Sequence, residues 1–363
     1  MRRPVRVAVP VVVLLLILGI PFTGVRFATL DDRVLPPQAP AAQAGQQLRQ
    51  DFDTGGGIAP TTVVLPETPM NSASLPVLND YARRLAQVSG VVRVDAPAHL
   101  RDSAFSHLVV TTAYEPYSLE NSDLADRLRQ VRAPGPVLIG GPGGNLADTR
   151  QSIGDVLPTA LTVIALATLA LITALTGSVV LAVKALLMNA LSLTATFGVL
   201  VHVFQDGHLR WLVGDFTVTG SIDILMPSMI FCVAFGLSMD YEIFLLSRIT
   251  EEHRHTGDTV TAVARGLQHT GRLFTSAAVI FAVVMAALAS SSLAPLKMIG
   301  VGLALAVLLD ATVIRALLVP AVMRLAGHAN WWSPTVRRTR RARPDRAGPP
   351  VPSLTATSPE DRT

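Results

Sequence analysis

The sequence predicts an α-helical polytopic membrane protein with six transmembrane helices and one extramembrane α+β domain, and three observations carry that expectation. Half of the 363 residues are hydrophobic, the mean hydropathy is +0.45 and only 15% are charged, which is too apolar for an ordinary soluble domain. Six stretches have the length an α-helix needs to cross about 30 Å of hydrocarbon: 5–25, 156–175, 179–204, 222–247, 273–293 and 297–325. The segment between the first two is polar enough to be water-soluble and changes its apolar period from two to helical and back.

The first span opens with Arg2, Arg3 and Arg6. Its apolar core is longer than that of a signal peptide and no small-x-small cleavage site follows, so it reads as an uncleaved anchor. After it, 39–52 has helical spacing and connects the anchor to a domain. Within the domain, 61–65 reads as a strand, 72–88 as a helix ending at Gly90, 91–95 and 107–112 as strands, 118–131 as a helix and 136–140 as a last strand. That β-α-β-β-α-β order predicts a ferredoxin-like sandwich. The glycine run 140–144 lacks the Lys-Ser/Thr of a phosphate loop and reads as a turn from strand into helix. The expected organisation is therefore an anchor helix (1–25), an α+β domain (26–152), a five-helix bundle (153–326) and a basic disordered tail (327–363) rich in Pro, Arg, Ser and Thr.

Charge sets the orientation. Arg248, Arg254, Arg265 and Arg272 fall between the fourth and fifth spans, and a dense arginine cluster fills 337–346. The positive-inside rule then places both termini and the 248–272 loop in the cytoplasm, and the 26–152 domain outside the cytoplasmic membrane. The formal charge of +4 and pI ≈ 9.7 are explained by these topological arginines, and no nucleic-acid-binding pattern accompanies them. Cys232 is the sole cysteine, which excludes an intrachain disulfide and a cysteine metal cluster. His253 and His255 have too few neighbouring ligands for a metal site, and no cofactor motif is present.

The chemistry lies within the membrane. Asp240-Tyr241 sits inside the apolar run 231–248, where an unpaired charge costs about 2.5 to 3.5 kcal/mol or more, so it is a functional candidate by default. Ser228, Cys232, Gly236 and Asp240 recur every fourth residue and lay a small, polar stripe down one helix face. Small residues at that spacing allow close helix approach, so Asp240 is expected to point into the bundle. Tyr241, about 100° further round, would donate to a facing carboxylate or pass a proton. A static interhelical bond is the bland alternative. Pro227 is expected to loosen the outer end of this span. In the last span, Asp310 and Arg315 form a second intramembrane pair, whose five-residue separation is less favourable for contact than three or four. Glu242 lies on another face and is expected to be solvated by headgroups, while Lys184 and Lys297 are expected to snorkel from span ends. The 258–270 segment reads as an interfacial helix. No intramembrane serine or cysteine has a histidine within reach, His202 lying at the opposite end from Ser238 and Ser247, so an enzyme is not expected.

The runs FGLSMDYEIFLLSRITEE (235–252), HTGD, AVARGL, TGR, LAVLLDATVIRALLVPA (305–321) and NWWSP resemble the MmpL transporters of the RND superfamily, over residues 2 to about 334. The resemblance implies a proton-driven exporter of lipids or other hydrophobic molecules, a porter-like role for the external domain, and a proton relay formed by Asp240 and Tyr241. It implies membrane lipids and a lipidic substrate as partners. The order of one span, an external α/β domain and five spans is similar to one half of that family, most like the second. This chain holds one intramembrane Asp-Tyr motif where the family pairs two. The missing half would come from a separate complementary chain, from a second copy of this chain, or from a longer gene of which Met1-Arg-Arg-Pro is an internal start. A non-transporting lipid-binding, sensor or assembly module is the reading from another class, separable by a flux assay.

Overall fold

The computed structural model describes residues 3–51, 59–98 and 105–332. Helix α1 (Val5–Gly19) and a 3-10 turn (Ile20–Gly24) form the anchor. A short strand β1 (Phe27–Ala28), a 3-10 turn (Asp32–Val34) and helix α2 (Pro40–Asp51) lead outward. Arg49 holds α2 to that turn by donating to both Asp32 oxygens, at 2.9 and 2.6 Å. The same bonds hold the Asp32 carboxyl below its usual range against the opposing effect of burial.

The domain follows as β2 (Thr61–Leu65), α3 (Leu75–Ala86), β3 (Val91–Val94), β4 (Ser106–Thr112), α4 (Leu119–Arg129) and β5 (Leu138–Gly140). Each expected strand and helix of this unit is present. Strand order is β3-β4-β2-β5, and every neighbouring pair is antiparallel, with Val63 opposite Leu108 and Ile139. Period-two alternation in β2 and β4 buries Val63, Leu65, Leu108 and Val110 on one face. Helical spacing brings Leu78, Tyr81 and Leu85 of α3, and Leu124, Ala125 and Leu128 of α4, onto that same core. Ser118 caps α4 by accepting from the Asn121 amide.

The expected turn at 140–144 is where the sheet enters the membrane bundle. Gly141 takes φ +97°, which a side chain would strain, and Pro142 occupies the first turn of α5 (Pro142–Thr176), where its missing N–H costs nothing. At 35 residues and 1.5 Å per residue, α5 is about 52 Å long, longer than a bilayer core. Its first turns accordingly belong to the domain, with Leu146 and Ala147 buried there.

The bundle continues with α6 (Val179–Leu200) and a π turn (Val201–Gln205), a short α7 (Arg210–Val213), strand β6 (Ile222–Asp223), α8 (Met226–Thr256), α9 (Thr259–Ala289) and α10 (Ala294–Leu308). A π segment (Leu309–Leu318), α11 (Val319–Ala326) and a 3-10 turn (Gly327–Trp331) complete the last span. Among the described residues, six helices are long and apolar enough to cross a membrane. Parallel pairing of β1 with β6, and Asp223 accepting from the Leu30 and Leu225 amides, clip the end of the anchor to the start of α8.

Three local expectations change. Residues 258–270 are the start of α9, not a separate interfacial helix: Asp258 caps it through the Thr261 amide at 2.8 Å, and nothing breaks the helix before Ala289. Pro227 sits in the first turn of α8, where it initiates and does not loosen the helix. Residues 327–331 are packed and not part of a free tail. The Asn330 side chain is fully buried and donates to the Met323 and Gly327 carbonyls, and Trp331 stacks on His253 at 3.7 Å while donating to Thr259. The rest of the expected tail, from 333, lies outside the described residues.

Candidate functional site

Helix α8 presents two chemically different faces. Ser228, Cys232, Gly236 and Asp240 form the expected stripe, but all four are exposed, and a methyl group built on Gly236 would meet nothing within 4 Å. Asp240 therefore points away from this chain's bundle, contrary to the expectation. The spacing identified a face suited to close packing, and none of the described helices fills it. The opposite face, with Ala234, Met239, Leu245, Leu246 and Ile249, is buried among the other helices.

Tyr241 joins the two environments. Half-buried, it packs its ring against Phe274 of α9, with centroids 5.4 Å apart. The Arg315 guanidinium lies over both rings, 5.3 Å from the Tyr241 centroid and 4.7 Å from that of Phe274, a cation–π geometry that gains strength away from water. Arg315 and Asp310 are 2% and 6% exposed, and the guanidinium donates to the carboxylate at 2.8 Å. Five residues on an α-helix put two side chains about 140° apart. The π segment Leu309–Leu318 bonds to i−5, widens the turn, and brings them onto one face. The pair unfavourable on α-helical spacing is thus made by a local change of helix type.

Further polar groups converge here that the sequence reading placed elsewhere. Ser238 lines one cleft with Asp310, and Glu242, 6% exposed, lies within electrostatic reach of Arg315, Asp310 and Lys184. Glu242 is therefore a buried member of an ionic cluster, not a headgroup-solvated side chain. Lys184 does not snorkel freely but donates to the Asn330 side chain. Lys297, 5% exposed, donates to the Val213 and Asp215 carbonyls at 3.2 Å each. Asn189 of α6 escaped the sequence reading. It lines a small cleft with Ser192, Ser238, Tyr241 and Asp310, and both its amide atoms lack hydrogen-bond partners among the described residues, as do Nε and Nη1 of Arg315. Its signal was an uncharged amide inside an apolar span, which deserved the same question as the charges. The result is a polar cleft lined by Asn189, Ser192, Ser238, Tyr241 and Asp310, with Arg315 paired to Asp310 and stacked over Tyr241.

At the domain end, a separate cleft is lined by Thr29, Asp31, Arg33, Phe204, Phe216 and Met298 among others. It combines apolar walls with charged groups where the segment following the anchor meets the bundle.

The sequence matches the MMPL family over residues 33–348. It is 37% identical over 344 residues to the membrane protein SCO6666 of Streptomyces coelicolor, which covers 94% of this chain and 47% of that protein. Identity to the trehalose monomycolate exporter MmpL3 of Mycobacterium tuberculosis is 33% over 358 residues, covering 94% of this chain and 37% of the exporter. The heme uptake protein MmpL11 of the same species is 35% identical over 299 residues, 81% of this chain and 30% of that protein. This chain spans less than half the length of each of these relatives. With the match extending over the domain, the bundle and both acid-bearing helices, the chain belongs to the MMPL family of the RND superfamily.

Proposed function

We propose that this chain is one half of an RND-type transporter that uses the proton-motive force to export lipids or other hydrophobic small molecules across the cytoplasmic membrane. Asp240 and Tyr241 form its proton relay, and Asp310 with Arg315 supports them. The observation that carries this reading is the placement of Asp240, a carboxylate on an outward helix face lined by small residues and directly beside a tyrosine that contacts the buried Arg315. A carboxylate held at that depth needs a partner. The partner is supplied by the complementary half of the assembly, a second chain or a second copy, packing on the Ser228-Cys232-Gly236 stripe. Protonation of Asp240 would remove its charge and release that partner, and deprotonation toward the cytoplasm would restore it. One charge crossing 100 mV supplies about 2.3 kcal/mol, enough to bias a two-state element.

The domain, which we read as a ferredoxin-like porter unit from its strand order and its two helices on one face, lies outside. Both termini lie in the cytoplasm, as the arginine distribution requires. A lipidic cargo draws support from the similarity to a trehalose monomycolate exporter, and transport, not catalysis, is the activity. The test is Asp240→Asn in membrane vesicles holding the complete assembly. Abundance should be unchanged and flux driven by a pH gradient should fall to background; flux retained in that variant would remove Asp240 from the relay.

A further inference from the structure

At the domain end of α6, where the sequence suggested no metal ligands, the π turn and the bend after it gather His202, Asp206 and His208. A ligand atom from each lies within 4.8 Å of the other two. His202 and Asp206 are four residues apart, with Nδ1 and Oδ2 separated by 4.0 Å. The chain then reverses through Gly207 at φ +76°, so that the His208 amide donates to the His202 carbonyl at 3.2 Å and the His208 ring stacks on that of His202, centroids 4.1 Å apart. The His208 Nδ1 is 3.3 Å from the same carbonyl. Donation along that line fixes the proton on Nδ1 and leaves Nε2 with its lone pair free, the arrangement in which a backbone carbonyl orients a metal-binding imidazole. None of these three side chains belongs to the ionic cluster around Asp310.

We propose that His202, Asp206 and His208 form a binding site for a borderline divalent cation of the Zn²⁺ class. Two imidazoles and one carboxylate suit such an ion, with water completing the shell. Ligands on one tetrahedral Zn²⁺ stand about 3.3 Å apart, given bonds of about 2.0 to 2.1 Å. The side chains of His202 and Asp206 are 43% and 38% exposed, so small rotations close the remaining gap without disturbing the core. The bound ion would staple the π turn after α6 to the segment that continues through α7 to the Val213 and Asp215 carbonyls held by Lys297 of α10. It would stiffen the rim beside the domain-end cleft, to which Phe204 and Phe216 both contribute. The inference concerns binding by this chain and stands whether or not the chain transports anything.

The experiment uses the full chain, purified without a histidine tag and titrated with Zn²⁺ against a chromogenic chelator. One equivalent per chain is expected, weakened at least about tenfold in His208→Ala and in Asp206→Asn and unchanged in His253→Ala/His255→Ala. His208 is exposed, so its removal leaves the fold intact, and Co²⁺ should report the same site by a visible d–d spectrum that His208→Ala abolishes. Failure to bind one equivalent, or binding that survives His202→Ala/His208→Ala, would overturn the site.

Discussion

The Asp310–Arg315 pair concentrates the residue-scale argument. Two charges in a low-dielectric bundle lose hydration that their attraction only partly restores, and removing one partner leaves the other buried and unpaired. We expect Arg315→Met to destabilise the purified chain by about 3 to 5 kcal/mol and Asp310→Leu to do much the same, while the double variant recovers most of the loss. A thermal-unfolding cycle in detergent checks this; additive single effects would mean that the pair is not coupled. These charges were legible in the sequence as intramembrane residues, but their contact was not, because helical spacing assumes 3.6 residues per turn and the π segment departs from it. Glu242 was misplaced for a related reason. Its position two residues after Asp240 put it on another face, correctly, but that face looks into the bundle and Asp240 looks out.

Among elements, the glycines sort helix contacts by closeness. A methyl group on Gly198 of α6 would overlap the Leu18 carbonyl of the anchor, and one on Gly300 of α10 would overlap backbone atoms of α9, whereas Gly236 of α8 meets nothing. Backbone cannot yield as a flexible side chain does, so Gly198→Ala and Gly300→Ala should each cost about 1 to 3 kcal/mol. Gly236→Ala should be neutral or stabilising by up to about 1 kcal/mol in the isolated chain, from helix propensity alone. Denaturation midpoints of the three variants check the order, and a Gly236→Ala cost equal to the others would mean that its face is already filled. The elements themselves were largely readable: the strand at 61–65 needs only its alternation, and α3 only its spacing of Leu78, Tyr81 and Leu85. The merger of 258–270 with the fifth span was not readable, since no local residue says whether an amphipathic turn lies flat or continues upright. Nor does a motif such as Asn330-Trp331 announce, from sequence, that it will fold back onto Lys184, His253 and Thr259.

For the whole molecule, the outward face of α8 is where the proposed assembly is tested. Lipid can cover Ser228, Cys232 and Gly236, but it cannot pair Asp240, and small residues gain little from lipid compared with a close-packed helix. Cys232, the chain's one cysteine, lies exposed in the middle of that face and reports on its cover without any substitution. In native membranes a membrane-permeant maleimide should label Cys232 poorly. Gly236→Trp, one turn away, should raise the labelling severalfold by propping the partner helix off, and the depth of Cys232 is the same in both proteins, so slow chemistry in lipid cancels from the comparison. Oxidative crosslinking then distinguishes the partner. A second copy brings two Cys232 side chains together and yields a species of twice 38.5 kDa, whereas a complementary chain protects the thiol without forming that species. Equal labelling of the wild type and of Gly236→Trp would show a face open to lipid in the working membrane, and a half-transporter built on this helix could not then stand.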